Sequence, residues 1–221
     1  MELIVSNAEE LETAERCLEL ARNYDIVRAA LGIHPEYALR LPFDVVSRVE
    51  ELIQRNDEEV VAVGEIGLDY KFAQTREEKD RQKEFFVRQI ELANQYSLPV
   101  EVHSRRAHRP VLDLLEAHAD VPVVLHWFSG GLADVLRGVE LGYYFSFGPA
   151  IIHYEAYVPI VEAVPLDRIL LETDGPVRFK GRPAEPCDVG AVAERIASIK
   201  KTSIENVMEA ARRNARRLFH V

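Results

Sequence analysis

Two histidines and two carboxylates stand at equivalent places in the chain, each at or just beyond the end of a short apolar run. They are Glu65, His103, His126 and Asp174. Such runs are typical of buried parallel strands, whose carboxyl ends meet at one edge of a sheet. Imidazole nitrogens and carboxylate oxygens form a ligand set for divalent metal ions. The pattern therefore predicts one or two ions (Zn²⁺, Mg²⁺ or Mn²⁺) at these strand ends.

The ligand types also indicate the chemistry. The carboxylate of Glu65 is able to bridge two ions, and Asp174 is able either to bind metal or to act as a general base toward a water. Two bridged ions activate a water and stabilise the attacking and leaving oxygens of a phosphoryl displacement. A single histidine at a strand end is more often structural, but four ionisable residues at one topological position favour a joint metal site.

Three further residues are candidates for substrate contacts or for support of the ligands. His34, before Pro35, is a ligand, a substrate contact or a turn residue. Arg105 is a phosphate clamp by its bidentate geometry, or a solvated arginine at a helix start. Asp69 either orients a metal ligand by a hydrogen bond, without binding the metal itself, or caps a turn. The remaining histidines are interpreted as ordinary: His108, His118, His153 and His220.

Strands that alternate with helices must position these residues. Strands are expected near residues 2–6, 26–33, 60–66, 98–103, 121–126, 142–147 and 168–173. Capping boxes are expected at Ser6–Glu9, Thr75–Glu78 and Thr202–Glu205. The alternation predicts an α/β fold, a TIM-like (β/α) barrel of parallel strands in one domain over residues 1–221. Seven strands are readable, so we expect one βα unit of the usual eight to be absent. A doubly wound fold is the alternative, but it normally carries a Gly-rich phosphate turn after its first strand, and Ser6–Glu9 is not such a turn.

Composition limits the partners and the compartment. The formal net charge of −10 argues against broad non-specific binding of nucleic acid, although arginines or metal ions allow a polyanionic substrate. No apolar run reaches the length of a membrane span, and the first residues do not resemble a signal peptide. Cys17 and Cys187 have no metal-binding or disulfide spacing. We therefore expect a cytoplasmic protein that does not contact membranes.

Several of these segments together resemble the TatD family of metal-dependent deoxyribonucleases, a branch of the amidohydrolase-like barrels. The matching segments are residues 32–35 (GIHP), 64–70 (GEIGLDY), 103–105 (HSR), 126–130 (HWFSG), 172–176 (ETDGP) and 214–219 (NARRLF). The resemblance runs along the whole chain. It implies that Glu65 bridges the ions, that His103 and His126 bind one of them, and that Asp174 binds the other or acts as catalytic acid/base.

The chain departs from the family pattern at its start. The usual first strand carries Asp-x-His-x-His, and no such motif occurs here. A misplaced start, a natural one-metal half-site, or completion of the barrel by another chain would each explain this. An open barrel exposes two strand edges, so we expect either homo-oligomers through those edges or a rearranged terminus. Arg106 and Val177 also differ from the family's usual residues, but neither is a proposed ligand.

The resemblance implies a hydrolase that cleaves phosphodiester bonds in DNA, as an exonuclease or on single strands, with a metal-activated water. One alternative is a hydrolase of a small ester or amide that uses the same metal site. Another is a catalytically impaired or one-metal barrel that acts as a binding or structural protein, which the missing histidines favour.

Overall fold

The computed structural model describes residues 1–179 and 181–221 of the chain. These residues divide into two compact units, Met1–Val124 with His220, and Leu125–Phe219 with Val221. The expectation of one domain stays a prediction. Among the described residues, no helix is both long enough and apolar enough to cross a membrane.

The first unit is built on parallel strands that are hydrogen-bonded in chain order. They are β1 (Ile4–Asn7), β2 (Val27–Ala30), β3 (Val60–Gly67) and β4 (Val100–His103). The β-branched and alanine residues of β3 are almost completely buried, as expected for a parallel sheet covered on both faces. Gly67 lies opposite His103 in the register of β3 and β4, so both strands end at the same edge.

Five helices follow the strands of this unit. They are α1 (Leu11–Asn23), α2 (Pro35–Ala38), α3 (Val45–Arg55), α4 (Arg76–Tyr96) and α5 (His108–His118). The longest, α4, buries Phe85, Phe86 and Ile90 completely or nearly so. Strand β5 (Val123–Leu125) lies where the first unit ends.

In the second unit, β6 (Tyr144–Phe147) and β7 (Ile169–Leu171) form a parallel pair. Its helices are α6 (Leu132–Glu140), α7 (Ala150–His153), α8 (Val158–Ala163), α9 (Val189–Lys200) and α10 (Ile204–Phe219). Strands β8 (Arg178–Phe179) and β9 (Arg182–Pro183) form a short antiparallel pair. The buried amide of Asn214 donates hydrogen bonds of 2.8 Å to the carbonyls of Leu166 and Ile169, which fixes the start of β7 on α10.

All seven predicted strands of the parallel sheet are present. Of the three predicted capping boxes, one is confirmed and two are wrong. Thr75 and Glu78 cap α4 reciprocally, as predicted. At α1 the box is made instead by Glu10 and Thr13, because β1 continues to Asn7 and the helix starts later. At α10 the hydroxyl of Ser203, rather than that of Thr202, accepts from the amide of Asn206.

Candidate functional site

In the first unit, His103 is held between two carboxylates. Its Nδ1 lies 2.8 Å from Oε1 of Glu65, and its Nε2 lies 2.8 Å from Oδ2 of Asp69. Burial alone would lower the pKa of His103, but hydrogen bonds to Asp69 and Glu65 outweigh it and raise that pKa. The ring is therefore fixed in orientation, with one nitrogen facing the side chain of Glu65.

The carboxylate of Asp69 is completely buried and fully engaged. Its Oδ2 accepts from Nε and Nη2 of Arg105, at 2.7 and 2.6 Å, and its Oδ1 accepts from the backbone amide of Lys71 at 2.8 Å. Burial would raise the pKa of this carboxyl, but the bonds from His103 and Arg105 hold it well below its usual value. Asp69 thus stays ionised and ties His103 to Arg105.

The guanidinium of Arg105 is fixed from two directions. Asp69 binds one edge, and the ring of Phe72 lies 5.0 Å below the central carbon. The side chain remains 40% exposed, so it is accessible to a ligand although its position is set. Its role as a phosphate clamp stays a prediction.

His34 lies next to Glu65 and His103. Its Nδ1 accepts from the amide of Glu36 at 3.2 Å and so caps α2, while its Nε2 is 3.8 Å from Oε1 of Glu65. The centres of the His34 and His103 rings are 4.6 Å apart. Burial, opposed by the charge of Glu65, lowers the pKa of His34 to about 4, so the imidazole is neutral near pH 7.

Two buried glutamines of α4 position these loops, and sequence reasoning missed both. Gln82 accepts from the amide of Asp69 at 3.0 Å and donates to the carbonyl of Pro35 at 2.9 Å. Gln89 accepts from the amide of Ile33 at 2.6 Å and donates to its carbonyl at 3.1 Å. Their spacing of seven residues on the buried face of a helix was the available signal. The backbone on either side of His34 is thereby held to α4.

In the second unit, His126 lies between two acids as well. Its Nδ1 is 2.6 Å from Oε2 of Glu172, and its Nε2 is 3.5 Å from Oδ1 of Asp174. The hydroxyl of Ser146, on β6, donates to the same Oε2 of Glu172 at 2.5 Å. Glu172 was not among the predicted site residues, although it has the same parity as Asp174 at the end of β7.

Three residues next to these side chains have left-handed backbone conformations. The φ angles are 58° at Arg106, 38° at Trp127 and 54° at Asp174. Positive φ is uncommon outside glycine, although aspartate tolerates it better than most residues. Strained backbone of this kind concentrates at functional sites, where the surrounding structure enforces it.

The donor chemistry fits a divalent ion. His34, Asp69 and His103 each bring one ligand atom to within 4.8 Å of the others. When Nδ1 of His126 carries its proton toward Glu172, the Nε2 lone pair faces Asp174 across 3.5 Å. Two acceptors that face each other repel unless a cation lies near both. Ligands at about 2.0–2.2 Å from a tetrahedral metal are separated by roughly this distance.

Comparison with known proteins places the chain among relatives along its length. The family model described as TatD related DNase matches residues 1–220. Deoxyribonuclease TATDN3 of Homo sapiens is 36% identical over 227 residues, which cover 98% of this chain and 83% of that protein. The uncharacterized metal-dependent hydrolase YabD of Bacillus subtilis is 35% identical over 217 residues, covering 95% and 84%.

Solved structures agree with the sequence relatives. The crystal structure of YjjV, a TatD homologue from Escherichia coli, matches with a TM-score of 0.91 at 32% identity, covering all of this chain and 87% of that one. A TatD family hydrolase from Entamoeba histolytica gives a TM-score of 0.88 at 20% identity, covering 99% of this chain and 85% of that one, a likeness in fold alone. The predicted fold class, an α/β barrel of parallel strands, is confirmed.

Proposed function

Because the chain belongs to the TatD-related deoxyribonuclease family, we propose that it is a metal-dependent hydrolase of phosphodiester bonds in DNA, and that the residues described above carry the reaction. The observation that carries the assignment of residues is the pairing of imidazoles with carboxylates at strand ends. His103 lies against Glu65 and His126 lies near Asp174. Both pairs consist of donors that a divalent ion accepts.

In this proposal the ligands of one or two divalent ions are Glu65 and His103 in the first unit and His126 and Asp174 in the second. Such ions activate a water and neutralise charge on the phosphate oxygens. Zn²⁺ and Mn²⁺ suit this mixture of nitrogen and oxygen donors, whereas Mg²⁺ prefers oxygen ligands.

Asp174 is the proposed general base. Its side chain is 29% exposed, so it remains accessible to water while lying 3.5 Å from His126. It takes a proton from the attacking water in this proposal, a role that contributes about 10²–10⁴ to the rate of comparable reactions.

The remaining predicted residues are proposed to bind and orient. Asp69 holds His103 through Nε2, as carboxylates commonly hold metal-binding histidines. Arg105, fixed by Asp69 and Phe72, presents its exposed guanidinium to a phosphate oxygen. Neutral His34 donates from Nε2, because its Nδ1 is already an acceptor.

The form of the DNA is part of the proposal. Single strands or ends suit this protein better than long duplex, because its net charge of −10 opposes extended contact with the duplex backbone.

Self-association is also proposed, through β1, which lies at one end of the strand order of the parallel sheet and whose residues are all half-exposed. Light scattering at several concentrations tests that association, and a constant monomer mass would contradict it.

Two substitutions test the assigned residues. Glu65→Ala and His126→Ala should reduce cleavage of labelled single-stranded DNA to background with Mn²⁺, Mg²⁺ or Zn²⁺, because each removes a proposed ligand. Matched controls are the exposed positions Glu77→Ala and His118→Ala, which should retain wild-type rates. Circular dichroism checks that all four variants are folded.

The result that would overturn the residue roles is wild-type turnover in a folded Glu65→Ala or His126→Ala protein. A panel of small esters and amides, run on the same preparations, separates nuclease activity from the alternative hydrolase activity. Turnover of that panel without cleavage of DNA would overturn the proposed substrate.

A further inference from the structure

Glu172 is the nearest acid to His126 in the second unit, yet it is separate from the predicted ligand set. Its Oε2 lies 2.6 Å from Nδ1 of His126, whereas Asp174 is 3.5 Å from Nε2. The two acids therefore meet opposite nitrogens of one ring. At 2.6 Å the Nδ1 contact is a hydrogen bond to a charged acceptor.

Ser146 fixes the orientation of the Glu172 carboxylate. Its hydroxyl donates to the same Oε2 that faces His126. Ser146 lies on β6, whose register with β7 pairs it with Leu170, two residues before Glu172. The position of Oε2 of Glu172 thus depends on Ser146 in β6 and on the end of β7, which Glu172 directly follows.

The surroundings of Glu172 are not those of an acid retained for stability alone. Its Oε1 is buried and has no hydrogen-bond partner among the described residues. A Cβ atom at Gly148 would lie 3.3 Å from Cγ of Glu172 and 3.4 Å from Oε1, so the backbone there packs closely on the side chain. Burying an incompletely paired carboxylate costs free energy. A retained cost of this kind is common where a side chain serves function.

We propose that Glu172 is a positioning residue, held by Ser146, that keeps the proton of His126 on Nδ1 and so places the lone pair that binds the metal ion on Nε2. The proposal rests on the proposed function in that His126 is taken as a metal ligand. A neutral imidazole has one donor and one acceptor nitrogen, and the partner of one nitrogen decides the role of the other. The carboxylate of Glu172 accepts only, so Nδ1 must donate.

The first experiment reads the histidine tautomer without metal. Nitrogen-15 NMR of protein labelled at histidine, with EDTA and over a pH series that ends well above the usual imidazole pKa of about 6.5, should show the His126 proton on Nδ1 once the ring carries a single proton. Glu172→Leu removes the acceptor and should move the proton to Nε2 or to a mixture. Glu172→Gln retains an acceptor oxygen and should keep the Nδ1 proton.

The second experiment titrates Mn²⁺ by calorimetry into the same proteins. Partners that orient a metal-binding histidine typically change affinity by about 10–100-fold. Glu172→Leu should lose affinity within that range, while Glu172→Gln and Ser146→Ala should fall between it and wild type. The control Glu155→Gln removes an exposed acid that binds Arg195 and should match wild type.

Three results would overturn the proposal. They are a wild-type His126 that carries its proton on Nε2, a Glu172→Leu protein that keeps the Nδ1 proton, and a Glu172→Leu protein whose Mn²⁺ affinity is within twofold of wild type. The Gln variant is nearly isosteric, so it decides the affinity ranking if the Leu variant does not fold. Failure of the proposed function is distinguishable, because it shows as absent cleavage of DNA or absent uptake of Mn²⁺ by the wild-type protein. The tautomer result decides how His126 is held in either case.

Discussion

At the scale of single residues, the buried carboxylate of Asp69 connects the proposed ligand His103 with the proposed phosphate contact Arg105. It accepts hydrogen bonds from both, and it has no exposed surface. The sequence suggested Asp69 as a support for a ligand or as a turn cap, and the structure shows both kinds of contact, since Oδ1 also accepts from the amide of Lys71. The geometry of two site residues thus depends on one carboxylate.

Asp69→Asn should lower the free energy of unfolding by about 1–3 kcal/mol near neutral pH, because it weakens buried bonds to charged donors. The folded-state pKa of Asp69 is depressed. Its stabilisation is therefore full above the ordinary aspartate pKa of about 4 and is lost as the pH falls through the folded-state value. The difference between variant and wild type should narrow below about pH 4.

Urea unfolding without added metal, at about pH 7 and about pH 3, measures that difference. The exposed Asp57→Asn provides the control with the same chemical change. A difference for Asp69→Asn that stays constant over this pH range would contradict the depressed pKa.

The proposed ligands have a clearer signal in the sequence than the residues that support them. Glu65, His103, His126 and Asp174 follow apolar runs, a signal that sequence carries directly. Gln82, Gln89, Glu172 and Ser146 act through contacts that depend on which elements pack together. A glutamine on a helix or a serine in a strand has no distinctive spacing of its own, so those contacts emerge only with the fold.

At the scale of elements, the capping box of α4 is the start signal that sequence reasoning placed correctly. The hydroxyl of Thr75 accepts from the amide of Glu78 at 3.2 Å, and the carboxylate of Glu78 accepts from the amides of Thr75 and Gln74 at 2.9 and 2.7 Å. Thr75→Ala should cost about 1 kcal/mol of stability. Thr75→Ser keeps the hydroxyl and should therefore lose much less stability. Thermal unfolding of both variants measures this, and equal losses of stability would contradict the capping role of the hydroxyl.

Gly67 is the last residue of β3, opposite His103 in the sheet, and the structure leaves no room there for a side chain. Its φ is 134°, and a Cβ atom there would lie 2.1 Å from the carbonyl oxygen of His103. Gly67→Ala should therefore destabilise by more than the roughly 1–3 kcal/mol of backbone strain alone. Gly142→Ala is the matched control, since its φ is 78° but its surroundings are open.

Denaturant titration and Mn²⁺ binding separate the two glycine variants. Gly67→Ala should lose more stability than Gly142→Ala and should also weaken metal binding, because it displaces the backbone of a proposed ligand. Similar behaviour of the two proteins would mean that β4 moves aside at little cost.

The sequence predicts the elements that form because an apolar run must be buried. It misses the short elements that form only through contacts with other parts of the fold. The apolar runs located all seven parallel strands within a few residues. The four-residue helices α2 and α7 and the antiparallel pair of β8 and β9 were missed. A segment so short has no helical periodicity of its own; α2 is held by the His34 cap and by Gln82 at Pro35.

At the scale of the whole molecule, the net charge of −10 sets how the protein meets a polyanion. Proteins with six to ten phosphate contacts lose about 10³–10⁵ in affinity between about 50 and 200 mM salt. Here the proposed contact is centred on Arg105 and the metal ions. The value of kcat/KM for a single-stranded oligonucleotide should fall less than about tenfold over that range.

Steady-state kinetics at fixed Mn²⁺ concentration measures this dependence. A fall of about a thousandfold would reveal an extended basic surface and contradict the proposal of a short contact. The exposed Arg88→Ala, on α4, serves as a control for removal of a positive charge.

The left-handed backbone at Asp174 also restricts which replacements the chain tolerates. In a saturation library scored separately for protein abundance and for activity, asparagine and glycine at this position should leave abundance high, because both adopt positive φ readily. Valine and isoleucine should lower abundance itself. An inactive alanine variant would mix folding with chemistry, so Asp174→Asn is the replacement that isolates the loss of the carboxylate.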